Sequence, residues 1–539
     1  MPLETPSRVV QALAGRGYNA EREAVTLISE AEAPALALEA AVEAAPDDTL
    51  VLTTEHVREA LETAPVPDPD AVTPDDAAAA EPAPTTAETP SAVPGGQGDP
   101  TPSVSTGTGG ETSGSTDASA ADDAPRETGG SSRVGSRSPP PADVANDVTG
   151  QSTGTGEYDE FVEVFRDRYE RLASQLRGRV NHRPADTIEA MGGGADVELI
   201  GLVNDIRSTA SGHWLVELED TTGTFPCLVM KDRDIADLVD ELLLDECIAV
   251  SGTLADDAGI VFVDAIHFPD VPRTHRPSTA DRHVQAALIS DVHVGSQEFM
   301  ADAWSSFADW LYTEEAEAVE YLLIAGDMVE GVGVYPDQDE ELDIIDIYDQ
   351  YEAFAEYLKE VPGDLEIVMI PGNHDAVRLA EPQPGFDEEL RDIMSVHDPQ
   401  ITGNPSLVTV EGVKVLMYHG VSLDEVIAEL PEEKASYDEP HKAMYQLLKK
   451  RHVAPQFGGH TRVAPEEKDY LVMDEVPDVF HTGHVHKLGW GKYHNVLAVN
   501  SGCWQEQTAF QKSVNIDPDA GYAPILDLDT LDMTVRKFS

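Results

Sequence analysis

The pattern of apolar and polar residues changes character twice within the first 160 positions. Residues 1–62 carry apolar side chains at helical spacing, as in "RVVQALAGRGY" and "APALALEAAVEAA", which predicts a small helical module. Residues 63–157 consist mostly of Pro, Gly, Ser, Thr, Ala and Asp and contain no aromatic residue. Because such a composition cannot bury enough apolar surface to offset the entropy of ordering, we predict a disordered linker there.

Periodic apolar positions return after the linker. The segment of residues 158–195 begins with apolar side chains three and four positions apart, namely Phe161, Val164, Phe165, Tyr169, Leu172 and Leu176. This spacing predicts an amphipathic helix followed by a connection. Residues 196–272 contain short alternating strands, a turn at Thr222-Gly223 and the helix-like "DIADLVDELL". That order predicts a five-stranded barrel of the OB type.

Residues 283–539 alternate apolar strands with helical patterns, which predicts an α/β domain. Barrels of the OB type often bind single-stranded nucleic acid by stacking bases on aromatic side chains. Few aromatic residues occur in residues 196–272, so packing of this barrel against a neighbouring domain is an equal alternative.

Composition adds a strong negative charge to this picture. The chain has 539 residues, too many for a single core of roughly 250 to 300 residues. Lys and Arg number 35 against 101 Asp and Glu, which gives a net charge of −66. Self-repulsion of this size suits a medium of molar salt, in which charges are strongly screened. We interpret the acidity as salt adaptation, and it removes the usual requirement that a nucleic-acid-binding protein be basic overall.

The remaining composition predicts a soluble, cytoplasmic protein. The three cysteines are isolated, the first residues lack the features of a signal peptide, and no apolar run approaches the ~20 residues needed to span a bilayer.

Five segments of the α/β domain share one design, an apolar strand that ends in residues of metal-binding type. They are "AALISDVHVG", "YLLIAGDMVEG", "EIVMIPGNHD", "VKVLMYHG" and "DVFHTGHVH". The candidate residues in them are Asp291, His293, Asp327, Asn373, His374, Asp375, His419, His484 and His486. Ligands bind beyond the carboxyl ends of strands in α/β sheets, so these loops are expected to meet in one cleft.

The spacing and the residue types favour a pair of metal ions. Residues at i and i+2 of an extended segment project to the same side, as Asp291 with His293 and His484 with His486 do. Carboxylate, amide and imidazole ligands without thiolate favour Mn²⁺, Fe or Zn²⁺, and paired ions about 3.5 to 4 Å apart cleave phosphoesters. A single segment of this kind usually has only a structural role. Five of them in succession indicate a functional site. We assign Cys503 to the core, and His481 either to the core or to a supporting position behind the ligands.

As a set, these motifs resemble those of the calcineurin-like metallophosphoesterase superfamily over residues 284–510. Further stretches, among them "GNHDAVRLAEPQP", "LLKKRHVAPQFGGHTRVAPEEKDYLVMDEVPDVFHTGHVH" and "NSGCWQEQTAFQ", resemble the small subunits of archaeal D-family DNA polymerases over residues 158–539. The resemblance implies a β-sandwich flanked by helices for residues 283–539, preceded by the OB-type barrel.

The same resemblance implies residue roles. One metal would be held by Asp291, His293 and His486, and the other by Asn373, His419 and His484, with Asp327 between them. His374 would act as general acid to the leaving oxygen and would be oriented by Asp375. The two divalent ions are expected to be Mn²⁺, with Mg²⁺, Fe and Zn²⁺ as alternatives.

The resemblance also implies a function and partners. Members are 3′→5′ exonucleases that proofread for a separate large catalytic subunit, so that subunit and a DNA primer terminus are the expected partners, without a membrane. A catalytically silent scaffold subunit and a metallophosphoesterase with another substrate remain as alternatives.

The candidate DNA contacts are the cations of the most basic stretch, "HKAMYQLLKKRH", and one arginine after the "GNHD" loop. We predict phosphate contacts from Arg378, Lys449, Lys450 and Arg451. An ordinary solvated helix face is an equally weighted explanation of the basic stretch.

Overall fold

A computed structural model of the chain describes most of residues 9–63, with gaps, and residues 139–539 apart from 153, 336–337 and 514–515. Residues 64–138, most of the predicted disordered linker, lie outside the described residues. Of the helices described, none is both long enough and apolar enough to cross a membrane. Cys227, Cys247 and Cys503 are buried and form no disulfide.

The described part of residues 9–63 is mainly helical. It contains strand β1 (Asn19–Ala20), helix α1 (Arg22–Ser29), helix α2 (Pro34–Ala44), strand β2 (Val51–Leu52) and helix α3 (Thr54–Thr63). The two strands pair in parallel. Ile28, Leu38 and Val57, one from each helix, are fully buried in a common cluster, so the periodic apolar positions form a small core.

Residues 139–157 belong to the predicted linker, and for this part the prediction of disorder is wrong. Strand β3 (Asp143–Ala145) pairs antiparallel with a strand of the C-terminal domain. Asp147 Oδ1 accepts hydrogen bonds from the backbone N–H groups of Thr149 (2.9 Å) and Gly403 (2.9 Å). Composition missed this order because strand pairing and side-chain caps satisfy backbone groups without requiring a high apolar content.

The predicted amphipathic helix is helix α4 (Tyr158–Leu176), and helix α5 (Ala185–Glu189) follows it. Leu172 and Leu176 on its apolar face are fully buried. The same face buries Arg168, whose Nε lies 2.6 Å from Asp469 Oδ2. A buried, paired cation on this face could not be predicted from apolar spacing.

Five strands then form a closed barrel in the order β4-β5-β6-β8-β7. They are β4 (Asp196–Ser208), β5 (Trp214–Asp220), β6 (Gly223–Val229), β7 (Cys247–Leu254) and β8 (Val261–His267). The helix-like "DIADLVDELL" contains a 3₁₀ helix at Asp234–Glu241. The predicted five-stranded barrel is thereby confirmed.

The C-terminal domain contains the remaining elements. The strands are β9 (Gln285–Ile289), β10 (Val319–Ala325), β11 (Glu366–Ile370), β12 (Gln400–Ile401), β13 (Ser406–Val410), β14 (Val413–Met417), β15 (Val479–Thr482), β16 (Leu488–Tyr493), β17 (Val496–Ser501), β18 (Tyr522–Asp527) and β19 (Asp532–Lys537). The helices are α6 (Ala301–Leu311), α7 (Ile347–Leu358), α8 (Glu388–Ile393), α9 (Ser422–Glu429), α10 (Pro440–Lys450) and α11 (Ala509–Ser513), with 3₁₀ helices at Glu314–Ala316 and Gln338–Glu340.

Two six-stranded sheets organise this domain, in the orders β12-β11-β10-β9-β18-β19 and β16-β17-β15-β14-β13-β3. Leu288 and Leu323 of the first sheet share one buried cluster with Val415 and Val499 of the second, so the sheets face each other. Helices α6 and α7 cover the outer face of the first sheet, and helices α9 and α10 that of the second. The predicted α/β class is confirmed.

The parallel strands place the functional loops. Strands β9, β10 and β11 are mutually parallel neighbours, as are β14, β15 and β17. Their carboxyl ends therefore lie at the same edge of each sheet, where the five motif loops begin.

Candidate metal centre

The loops after β9, β10, β11, β14 and β15 converge, as the sequence predicts, and they do so with an unusual backbone. Five of their non-glycine residues have φ between 53° and 72°, namely Asp291, His293, Asp327, His484 and His486. L-residues rarely adopt this left-handed region, and it costs on the order of 1–3 kcal/mol at each position. Strained backbone of this kind concentrates at functional sites, where the surrounding structure maintains it.

A close approach of two loops also explains one glycine. A Cβ at Gly372 would lie 2.1 Å from Asp327 Oδ1 and 2.7 Å from its backbone nitrogen. Any larger residue would therefore separate the loop after β11 from the loop after β10.

The first group of candidate ligands comprises Asp291, His293 and His486, all buried. Nε2 of His293 lies 3.0 Å from Nε2 of His486, and Nε2 of His486 lies 3.5 Å from Oδ1 of Asp291. The three side chains thus direct one nitrogen or oxygen atom each toward a common point.

The second group comprises Asp327, His419 and Asn373. Nε2 of His419 lies 3.1 Å from Asp327 Oδ2 and 3.0 Å from Asn373 Oδ1. Its Nδ1 lies 2.9 Å from the carbonyl oxygen of Ala325. Because a carbonyl only accepts, Nδ1 carries a proton and Nε2 is the atom available to a metal. Asp327 Oδ2 is also 3.9 Å from Nε2 of His293, so this carboxylate lies between the two groups.

His484 lies beside the second group but makes a contact that sequence did not predict. Its ring centroid is 5.2 Å from that of His419, while its Nε2 is 3.0 Å from Oδ2 of Asp424. Tyr437 donates a hydrogen bond to the other oxygen of Asp424 (3.0 Å). His484 thus packs against the candidate ligand His419, while its Nε2 contacts the carboxylate of Asp424.

The electrostatics of the two groups suit a cation. Burial by itself raises the pKa of the Asp327 carboxyl, but the imidazoles of His419 and His374 outweigh it and hold that pKa well below its usual range. Burial likewise raises the pKa of Asp291, but the hydrogen bond and charge of His486 outweigh burial and lower that pKa. The site therefore contains buried ionised carboxylates that need positive charge nearby, which is what a divalent ion provides. The donor set of carboxylate, amide and imidazole atoms fits such an ion.

His374 occupies the wall of this site, and its partner differs from the expected one. Its Nδ1 lies 2.7 Å from the carbonyl oxygen of Glu330, and its backbone N–H donates to Asp327 Oδ1 (2.8 Å). Nδ1 is therefore the protonated donor, and Nε2 is left for a substrate.

The expectation that Asp375 orients His374 is wrong. Asp375 Oδ2 accepts from the backbone N–H groups of Asp327 (2.8 Å) and Gly372 (2.9 Å), and Tyr351 donates to its Oδ1 (2.9 Å). Burial and the charge of Asp327 raise the pKa of Asp375 to about 7. Asp375 therefore links the loop after β10 to the loop after β11 through hydrogen bonds. Its position in "GNHD" does not indicate this role.

Two polar residues that were not among the predicted site residues support the first group. Glu330 Oε2 lies 2.8 Å from Nδ1 of His293, and Nε2 of Gln511 in α11 lies 2.9 Å from Nδ1 of His486. Glu330 stands in "GDMVEG" beside a predicted ligand, which was a usable signal. Gln511 and Asp424 lie in helices with no motif, so nothing in the sequence pointed to them.

His481 and Cys503 occupy core positions. His481 is fully buried, with Nε2 3.1 Å from Ser501 Oγ. Cys503 is fully buried, with Sγ 3.3 Å from the carbonyl oxygen of Gln505.

The predicted DNA contacts are wrong for Arg378 and Arg451, because both guanidinium groups are occupied within the fold. Arg378 Nη2 lies 2.7 Å from Glu466 Oε1, and only 10% of its side chain is exposed. Arg451 is buried and donates to the carbonyl oxygen of Met473 (2.7 Å).

The same correction applies to Lys449 and Lys450. Lys449 Nζ lies 2.6 Å from Glu241 Oε2 and above the ring of Phe268. Lys450 is fully buried, and its Nζ donates to the carbonyl oxygen of Glu241 (2.8 Å). The acidic partner lies 208 residues from Lys449 in sequence, so a local charge pattern could not separate a neutralised cation from one that is free for phosphate.

An open cleft gives access to the two groups. It has a volume of about 340 Å³ and is lined by residues of both groups, His374, Glu330 and the aromatic residues Tyr335, Tyr437 and Phe510.

Comparison with known proteins gives one consistent family. Residues 286–488 match the family model that describes the B subunits of DNA polymerases alpha and epsilon. The DNA polymerase II small subunit of Halobacterium salinarum is 64% identical over 539 residues, covering 100% of both chains. The proteins of the same name from Archaeoglobus fulgidus and Methanocaldococcus jannaschii are 43% and 39% identical, covering 70% and 71% of this chain and 77% and 66% of theirs. The chain therefore belongs to the family of DNA polymerase II small subunits, the small subunits of archaeal D-family DNA polymerases.

Proposed function

We propose that this subunit hydrolyses DNA phosphodiesters as a 3′→5′ exonuclease at a centre of two divalent ions. The observation that carries the proposal is the convergence of buried ionised carboxylates and imidazoles in loops of left-handed backbone at one cleft. A subunit that served only as a scaffold would have no need to maintain this strain and this buried charge.

The residues of the chain divide naturally between two ions. Asp291, His293 and His486 would hold one ion, Asn373, His419 and His484 the other, and Asp327 would touch both. When bound, a pair of divalent ions lowers the pKa of water toward ~7 and neutralises phosphate charge. The mixed oxygen and nitrogen donors favour Mn²⁺, with Mg²⁺, Fe and Zn²⁺ as alternatives.

His374 supplies the proton for the leaving oxygen. The carbonyl oxygen of Glu330 accepts a hydrogen bond from Nδ1–H of its ring, so in the doubly protonated ring the proton on Nε2 is the one transferred to the departing 3′ oxygen, which leaves the imidazole neutral. Asp375 acts as a positioning residue, because it holds the backbone of Asp327 and Gly372 together.

The architecture supports a calcineurin-like sandwich fused to an OB-type barrel. The helix-flanked pair of sheets carries the motif loops at the carboxyl ends of its parallel strands, and the barrel has five strands closed in one ring. The name of the family implies a large catalytic subunit as partner, and proofreading requires a primer terminus as substrate.

A nuclease assay tests the proposal. The full chain is incubated in high-salt buffer with Mn²⁺ and a 5′-labelled primer–template with a 3′ mismatch. We expect stepwise shortening from the 3′ end, a loss of at least about 100-fold in Asp327→Asn, and wild-type activity in Asp237→Asn, whose carboxylate is exposed on the barrel.

Absence of shortening by the wild type, both alone and with the large subunit added, would contradict the proposal and favour the scaffold. Cleavage of a small phosphodiester without any cleavage of DNA would favour a metallophosphoesterase with another substrate.

A further inference from the structure

Two aromatic rings on the wall of the metal-centre cleft have no part in the proposed mechanism. The rings of Tyr335 and Phe510 stack, with centroids 5.8 Å apart and planes 26° from parallel. Both residues line the cleft. Phe510 is 53% exposed, so its ring is accessible to a ligand in the cleft.

Both rings are fixed relative to the candidate ligands. Tyr335 donates its hydroxyl hydrogen bond to Glu330 Oε1 (3.0 Å), and the other oxygen of Glu330 contacts His293. Phe510 lies in α11 directly before Gln511, which contacts His486. Tyr335 through Glu330, and the backbone of Phe510 through its neighbour Gln511, are thus connected to residues that contact the candidate ligands.

The pair lies on the same side of the cleft as the proton donor. The ring centroid of Tyr335 is 6.3 Å from that of His374, and Phe510 stacks on Tyr335. A group that is bonded to the phosphate attacked at the centre would therefore pass close to the exposed ring of Phe510.

A nucleobase is the group that such a ring suits. Stacking on an aromatic side chain is sequence-tolerant, because every base offers a π-face. The cleft of about 340 Å³ is at the small end of the range of ligand pockets, so it accepts a nucleotide-sized group and not a duplex. A base enters only when it is unpaired, since a paired base is already stacked within the duplex.

We propose that Phe510, supported by Tyr335, is a stacking platform for the base of a nucleotide adjoining the scissile phosphate of an unpaired DNA end. The proposal rests on the proposed nuclease function and specifies its substrate. It provides a physical reason for preferring a frayed, mismatched terminus over a paired one without reading its sequence.

Removal of the exposed ring of the stack provides the first test. The full chain and its Phe510→Ala variant are compared on single-stranded oligonucleotides with normal 3′ ends and with an abasic residue at the last or the last-but-one position. We expect Phe510→Ala to lower kcat/KM on the normal oligonucleotide by about tenfold, mainly through KM. On an oligonucleotide abasic at the stacked position, the variant and the wild type should be equal.

Two further variants separate stacking from folding. Phe510→Trp should retain or improve wild-type kcat/KM, because it keeps an aromatic face. Tyr312→Ala removes an aromatic side chain that is 63% exposed outside the cleft, and it should leave both substrates unaffected. An equal loss in Phe510→Ala on normal and both abasic oligonucleotides would overturn the proposal, as would a loss in Phe510→Trp as large as in Phe510→Ala.

A binding experiment distinguishes failure of this proposal from failure of the nuclease function. An oligonucleotide with 2-aminopurine at either of its last two positions is titrated with the chain in Ca²⁺ and in chelator. The titration gives the affinity for DNA from the quenching of 2-aminopurine fluorescence. If this affinity is about tenfold lower in Phe510→Ala than in the wild type, the stacking platform is supported even if no hydrolysis is seen. If the wild type is active and Phe510→Ala quenches the fluorescence identically, the stacking proposal is contradicted and the proposed nuclease function is not. If Phe510→Ala bound DNA unchanged but bound the large subunit more weakly, the platform would also be overturned, in favour of a protein interface.

Discussion

Among single residues, the carboxylate of Glu330 supports the candidate centre through its contact with His293. It is 2% exposed and accepts from Gln505 Nε2 (2.7 Å) as well as contacting His293. Burial raises its pKa, but the imidazoles of His293 and His374 outweigh burial and lower the pKa to about 2. It therefore stays ionised and fixes the ring orientation of His293.

Glu330→Gln should weaken metal binding without unfolding the chain. The neutral amide keeps the shape but loses the charge that holds Nδ1–H of His293, and loss of such a partner costs roughly 10- to 100-fold in metal affinity. Calorimetric titration with Mn²⁺ measures this loss directly, independently of catalysis. The matched variant Glu340→Gln changes an exposed carboxylate nearby and should bind as the wild type does. Equal affinities for all three proteins would show that Glu330 does not support the centre.

A second buried carboxyl, Glu381, should make stability depend on pH. It is fully buried, and the hydroxyl of Tyr418 donates to its Oε2 (3.0 Å). Burial raises its pKa to about 8, and the hydrogen bond from Tyr418 offsets only part of this effect. The folded chain therefore keeps a proton that the unfolded chain releases near about pH 4.3, so this residue makes folding less favourable as pH rises from there to about 8.

Glu381→Gln should abolish that part of the pH dependence. Relative to the variant, the wild type should lose up to about 1.4 kcal/mol of unfolding free energy per pH unit across this window. Denaturant unfolding of both proteins at pH 5, 6.5 and 8 in one high-salt buffer measures the difference. Parallel stability profiles would contradict the raised pKa of Glu381.

Single residues also mark the limit of what sequence could predict. Asp291, His293, Asp327 and His419 were found because each follows an apolar strand at a fixed short spacing. Gln511 was not, because its contact with His486 depends on how α11 packs, and no local pattern encodes that contact.

At the scale of elements, helix α10 shows why charge patterns mislead where strand patterns succeed. The helix ends in cations that were predicted to meet DNA, yet they join it to the barrel instead. Lys450 Nζ lies 3.4 Å from Glu246 Oε2, and both side chains are fully buried. An apolar strand is recognisable from its own residues, whereas the partner of a buried cation lies in another element.

Lys450→Met should therefore reduce stability and not DNA affinity. Removing one member of a buried ion pair leaves an uncompensated charge and costs about 3–5 kcal/mol. The double variant Lys450→Met with Glu246→Leu should recover most of that loss, because apolar replacement of the whole pair is often neutral. Denaturant unfolding measures all three stabilities. The matched change Lys442→Met, at a partly exposed position, should stay within about 0.5 kcal/mol.

The opposite result would restore the original prediction. A Lys450→Met protein with wild-type stability but weaker, less salt-dependent DNA binding would mean that this side chain leaves its buried position to contact phosphate.

The same distinction explains the end of the linker. Composition correctly describes how little apolar surface residues 139–157 contain, but strand β3 and the caps of Asp147 depend on backbone groups supplied by β13 and Gly403. Because the backbone groups that order this segment belong to a neighbouring domain, the sequence of the segment itself does not indicate that it is ordered.

At the scale of the whole molecule, the charge of −66 must act on stability. Self-repulsion between carboxylates destabilises the compact state when it is unscreened. Salt reduces the screening length from about 10 Å at 0.1 M to about 3 Å at 1 M, so most of the repulsion should vanish over this range.

The unfolding temperature should therefore rise steeply between about 0.1 and 1 M KCl and flatten above it, since little repulsion remains to be screened. Thermal unfolding followed by circular dichroism in a KCl series measures this curve. NaCl at equal concentration should act like KCl, because screening depends on ionic strength. Sucrose favours compact states without screening charge, so it should not replace the salt. If sucrose restored stability at 0.1 M KCl as fully as 1 M KCl does, relief of charge repulsion would not be the cause, and the acidity would have to serve solubility alone.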